Sequence, residues 1–140
     1  MRILLINPWI ADVAAYDFWL KPVGLLILGG YLSRSGHELH LIDCLDRYDP
    51  QLARATGKLP RSKANGTGKF LCREIEKPRA IKWLPRRYKL YGWPEELVAR
   101  RVREVKERWD PAIAMVTPAV GPRRPGWRGS LPTVGRWCCG

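Results

Sequence analysis

Met1 to Asp43 is the stretch that most constrains the fold. Arg2-Ile-Leu-Leu-Ile-Asn-Pro is an apolar run, continuous rather than alternating, that stops on a polar turn. Such a run suits a strand covered on both faces, as in a parallel sheet flanked by helices. From Pro22 to Gly36 the chain reads as a helix, with proline near its start and glycine just past its end. Leu25, Leu28 and Leu32 form its sheet-facing stripe. Glu38 to Asp43 gives a second strand ending on a carboxylate. Strand, crossover helix and strand in so few residues predict a parallel, right-handed βαβ unit. Ligands of open parallel sheets sit beyond the carboxyl ends of the strands, which directs attention to Asn7, Pro8, the loop to Lys21, and Asp43.

Further on, Pro94-Glu95-Glu96 opens a helix with acids in its first turn, where the macrodipole favours them. Val98, Val102, Val105 and Trp109 form a buried stripe along it, and Ala112 to Thr117 reads as a third strand. The predicted fold is therefore α/β, a partial Rossmann- or flavodoxin-like three-stranded parallel sheet in the order β-α-β-arm-α-β over residues 1–117. Residues 44–94 form a basic, proline-rich arm inserted in it. Residues 118–140 hold four prolines, five glycines, four arginines and no acid, which predicts an irregular, disordered tail.

The net charge of +12 is unevenly placed. Residues 1–43 carry −1, residues 44–94 carry +9 and residues 95–140 carry +4. The excess belongs to the arm and tail, and would attract phosphates, nucleic acid or an acidic partner. Within the arm, Ile81 to Trp93 interleaves cations with aromatics. That composition fits a single-strand nucleic-acid groove, or an arm lying on its own domain with Trp83, Leu84, Tyr88, Leu90 and Trp93 as anchors. Ala64-Asn-Gly-Thr-Gly-Lys69 lacks the spacing and the preceding strand of a phosphate loop and reads as a flexible turn. No apolar run nears the roughly 20 residues that span a bilayer, and the amino terminus does not read as an export signal. A cytoplasmic protein without a membrane partner is expected. Cys44, Cys72, Cys138 and Cys139 show no disulfide framework. His37 and His40 lack a partner cluster at metal-ligand spacing, so no metal site is expected.

Several stretches resemble one family. Ile3-Leu-Leu-Ile-Asn-Pro-Trp, Tyr16-Asp-Phe-Trp-Leu-Lys-Pro-Val-Gly-Leu-Leu and Leu32-Ser-Arg-Ser-Gly-His-Glu-Leu-His-Leu-Ile-Asp-Cys-Leu-Asp-Arg are similar to the amino-terminal cobalamin-binding domain of radical S-adenosylmethionine proteins. Gly68-Lys-Phe, Ile75-Glu-Lys-Pro, Pro85-Arg-Arg-Tyr-Lys-Leu-Tyr-Gly and Asp110 to Thr117 extend the likeness to about residue 117. The resemblance implies a Rossmann-like cobalamin module ahead of a domain holding a 4Fe–4S cluster and S-adenosylmethionine. That cluster needs a Cys-x-x-x-Cys-x-x-Cys loop, which this sequence lacks; Cys138-Cys139 has the wrong spacing. Radical chemistry is therefore not assigned to this chain, nor any catalytic residue. The Asp-x-His-x-x-Gly signature that gives cobalt a histidine is also missing, since His37 stands between Gly36 and Glu38.

The resemblance and the strand-end rule together give Asn7, Pro8, Trp19, Lys21, Asp43 and Thr117 as candidate cofactor-binding residues. Asn7 and Thr117 would offer hydrogen bonds, Lys21 a cation for phosphate or propionamide groups, and Trp19 a surface for the corrin. The alternatives are a nucleic-acid- or partner-binding protein using residues 61–93, and a non-functional gene fragment. A frameshift would account for the abrupt change after Thr117.

Overall fold

The computed structural model describes residues 1–57 and 59–117. The predicted tail, 118–140, and Lys58 lie outside the described residues. Three strands form a parallel sheet: β1 (Arg2–Asn7) in the centre, β3 (Glu38–Asp43) on one side and β6 (Ile113–Val116) on the other. The register runs Arg2↔Glu38 to Asn7↔Asp43 on one side and Ile3↔Ile113 to Ile6↔Val116 on the other. The architecture is α/β, with the partial Rossmann-like order that the hydrophobic runs predict.

Both faces of β1 are buried, which is why its four apolar residues are consecutive. Ile3 and Leu5 meet α1 (Val23–Arg34) through Leu25, with Leu32, Leu39 and Met115 packed around them. Gly29 lets that helix approach closely, because a Cβ there would stand 3.0 Å from Leu5 Cδ1. Gly30 has open space instead, so tight packing accounts for only one of the pair. On the opposite face Leu4, Ile6 and Ile42 pack with Val98, Val102 and Val105 of α3 (Glu95–Trp109). Along α3, Glu104 pairs with Arg100 at 4.0 Å and Arg101 at 3.7 Å. The sequence spacing suggests Glu96–Arg100 and Glu104–Arg108 instead. His40 lies on this face beside Trp109, with ring centroids 5.8 Å apart.

The arm is more ordered than its composition suggests. Asp49 accepts from Gln51 N and caps a short helix, α2 (Pro50–Thr56), which Gly57 closes in the left-handed conformation. Its Leu52 is buried in the α3-side core. A second, antiparallel sheet joins β2 (Ile10–Asp12), β5 (Lys89–Tyr91) and β4 (Cys72–Glu74) in that order. Thus the loop after Pro8 begins as a strand, and the arm returns to pair with it.

Of the proposed arm anchors, Tyr88 and Trp93 are buried and Leu84 and Leu90 half-buried, while Trp83 is exposed. The turn at 63–69 is held from below by Arg47. This buried residue forms an ion pair with Asp17 at 2.8 Å and donates to Ser62 Oγ and Gly66 O, both at 2.7 Å. Asp17 also exchanges main-chain hydrogen bonds with Gly68. A flexible turn is expected here from sequence; in the structure it is a clamped one. Among the described residues no helix is long and apolar enough to cross a membrane.

Candidate functional site at the carboxyl end of the parallel sheet

Asn7 and Asp43 are register partners at the exit ends of β1 and β3. Asn7 Nδ2 donates to Asp43 Oδ1 at 2.7 Å, and the same carboxylate oxygen accepts from Leu45 N at 3.0 Å. Thr117, just beyond β6, donates from Oγ1 to Asn7 Oδ1 at 3.3 Å, and its N–H reaches Ile6 O. A polar chain Thr117–Asn7–Asp43 therefore crosses the ends of all three strands. All three residues are half-buried, so the chain is reachable from solvent. Parallel pairing is the cause: it brings three strand ends to one edge, where main-chain groups run out of ladder partners.

Two connections leave β1 and β3 in opposite directions across the sheet. The gap between β1 and β6 is therefore the topological switch point, where open α/β sheets hold ligands. Pro8 follows β1 directly and leads the chain toward β2. The amino end of α1 carries no side-chain cap, and at Gly24 in its first turn a Cβ would meet only open space. Val23 N donates to Lys21 O and Leu26 N to Pro22 O, and a helix start of this kind favours an anionic or carbonyl-bearing group.

Trp19 and Lys21 stand in the loop before this helix, and both are exposed. Trp19 takes a left-handed φ of 61° and donates from Nε1 to Asn65 O of the arm at 2.9 Å. Among the described residues, no hydrogen bond joins either of them to the Thr117–Asn7–Asp43 chain. Three of the six sequence candidates are thus linked directly, Pro8 adjoins them, and Trp19 and Lys21 flank the helix entrance.

The β3 side of the shelf is partly closed. Trp93 N donates to Cys44 O at 2.8 Å, Trp9 Nε1 donates to Trp93 O at 2.6 Å, and Trp93 Nε1 donates to Asp46 O at 2.8 Å. Gly92 makes this closure feasible: a Cβ there would lie 2.5 Å from Cys44 O. Sequence reading does not find this lid, and its one signal is Gly92-Trp93 directly before the proline that opens α3. Beside the lid is a cavity of about 130 Å³, lined in part by Asp43, Asp46, Asp49 and Arg101. It is smaller than the roughly 300–1,000 Å³ that encloses small molecules.

Among the described residues no group of His, Cys, Asp and Glu is placed to hold a metal ion. Burial, with Asp43 next in effect, pushes the Cys44 thiol up to about 12, so it stays protonated. His37 precedes β3 at the amino end of the sheet, and His40 sits within the strand. Burial, reinforced by Arg101, lowers the His40 pKa below its usual value. Neither imidazole reaches the shelf.

A three-stranded parallel sheet with a polar shelf at its switch point defines the class: a partial Rossmann-like α/β fold. No protein-family model, curated protein or solved structure matches the chain.

Proposed function

We propose that the chain is a cytoplasmic, cobalamin-binding-like module of the kind that precedes a radical S-adenosylmethionine domain, and that it is not a catalyst by itself. The observation that carries this reading is the Thr117–Asn7–Asp43 chain across the ends of the three parallel strands. It stands where the family resemblance expects a cofactor. A corrin is too large for the 130 Å³ cavity, so it would have to be held across the open strand ends instead. Asn7 and Thr117 would meet its amide side chains, Lys21 its phosphate, and the exposed face of Trp19 its rim. The shelf offers no histidine, so cobalt would take no ligand from the described residues. When bound, cobalamin supplies methyl-transfer or one-electron chemistry; this chain's part is to hold and orient it. The 4Fe–4S cluster and S-adenosylmethionine belong to the parent family and find no Cys-x-x-x-Cys-x-x-Cys loop here.

The test is titration of hydroxocobalamin with the purified chain, followed by absorption spectroscopy and equilibrium dialysis. The expected result is retention of the corrinoid with a shifted spectrum, little changed by salt and weakened in Asn7→Leu. No retention and an unchanged spectrum at high protein concentration would reject the reading. The exposed arm cations, among them Arg61, Lys63, Arg79, Lys82, Arg86 and Arg87, favour nucleic-acid binding as a second reading. That binding would weaken steeply as salt rises.

A further inference from the structure

Helix α1 is apolar all round. Leu25 and Gly29 are buried toward the sheet, yet Val23, Leu26, Ile27 and Tyr31 lie exposed, Ile27 by 69%. The segment leading into the helix adds Phe18, Trp19 and Leu20, all exposed as well. A helix with no polar face is ordinarily covered, and a contiguous apolar patch of this kind marks an interaction surface.

The charges around the patch say what covers it. Between Asp17, whose carboxylate is buried against Arg47, and Glu38, no acidic residue occurs. Lys21 stands at one end of the helix and Arg34 at the other. Lys63 of the arm lies 5.9 Å over the Tyr16 ring, which itself packs 4.8 Å from Phe18. The surface is therefore an apolar strip with aromatic rings at one end and cations along its rim. A second copy is a poor match. Two such helices packed antiparallel about a two-fold axis would set Lys21 of each near Arg34 of the other, with no carboxylate between them. An acidic, apolar plane is the complement.

The geometry points to docking of α1, with Phe18, Trp19 and Leu20, on the surface of an anionic lipid bilayer. The helix lies in the interface plane, its outer residues entering the acyl boundary and Lys21, Arg34 and Lys63 meeting lipid phosphates. The lack of a spanning segment, on which the expectation of no membrane partner rests, does not bear on a helix in this position. The proposal shares Trp19 and Lys21 with the cobalamin reading but rests on the outer face of α1, at Leu26, Ile27 and Tyr31, whereas the hydrogen-bonded shelf lies at the strand ends.

The test is co-sedimentation of the full chain with phosphatidylcholine vesicles and with phosphatidylcholine–phosphatidylserine vesicles. Light scattering reports the oligomeric state, and circular dichroism confirms folding of each variant. Binding is expected only to the serine-containing vesicles. Ile27→Glu should weaken it about tenfold or more, since it removes an aliphatic group that would enter the acyl boundary and adds a repelled charge. Arg103→Gln makes the same change in net charge on α3, across the sheet, and should alter binding far less. Three results would each overturn the proposal: no binding to either vesicle, equal loss in the two variants, or a dimer in solution that Ile27→Glu splits into monomers.

Discussion

Replacing Arg47 by alanine removes the cation that pairs with the buried Asp17 carboxylate, and the structure allows the cost to be apportioned. Gly66 O keeps a partner, since Tyr48 OH also donates to it at 2.8 Å. Ser62 is exposed, so water replaces the guanidinium there. Asp17 Oδ1 keeps Leu20 N at 2.8 Å, but Oδ2 is left with nothing in place of Arg47 Nε. Breaking a buried pair from one side costs about 3–5 kcal/mol. The Asp17 side chain is 11% exposed, and some water access puts the value near the lower end, about 3 kcal/mol. That is a large share of the ~5–15 kcal/mol that holds a domain together. Urea unfolding of Arg47→Ala, Asp17→Asn and the double variant measures it. The double variant should lose less than the two single losses combined. Trypsin should cut Arg47→Ala faster after Arg61 and Lys63, because the clamp on the 63–69 turn is gone. A loss under about 1 kcal/mol for Arg47→Ala would refute the reasoning, placing the pair effectively in water.

Two further outcomes follow from the same contacts. Gly92→Ala should cost at least about 2 kcal/mol, through collision with Cys44 O and strain at a φ of 127°. Gly30→Ala, with open space on the helix surface, should instead stabilise by up to about 1 kcal/mol; equal urea midpoints for the two would contradict both assignments. At pH 8, iodoacetamide should label exposed Cys72 and spare Cys44 until the chain is unfolded, as peptide mass spectrometry would show. Because folding raises the Cys44 pKa from 9.0 to about 12, its contribution to stability is intact below pH 9 and is lost progressively as pH climbs toward 12. Native-state labelling of Cys44 as fast as Cys72 would refute that burial.

The parallel frame is legible in the sequence because each of its elements carries its own pattern. Ile3 to Ile6 is continuous because two helices cover it, and Val98, Val102 and Val105 repeat because one face of α3 is buried. The antiparallel sheet is not legible. Its strands span three residues each, too short for alternation to show, and they pair Ile10 with Tyr91 across the arm. Helix α2 has its signals in Asp49-Pro50 and Gly57, but seven residues among many prolines and cations do not stand out. Arg47 is hidden for a different reason: sequence reasoning puts a lone arginine in water, and only tertiary structure brings Asp17 to it. At the shelf, strand ends locate Asn7, Asp43 and Thr117, since register alone gathers them. Trp19 and Lys21 follow loop geometry, which short-range patterns do not encode.

The central position of β1 carries a cost during biosynthesis. Its neighbour β3 emerges soon after it, but Thr117, which joins the far side, lies 110 residues downstream of Asn7. At the usual pace of translation, roughly 5–20 residues per second, one flank of the nascent strand stays open for about 5–20 s. Throughout that interval the ribosome-bound chain presents Ile3 to Ile6 to whatever else can pair with them, so chaperone supply, more than equilibrium stability, would set how much of it reaches the native sheet.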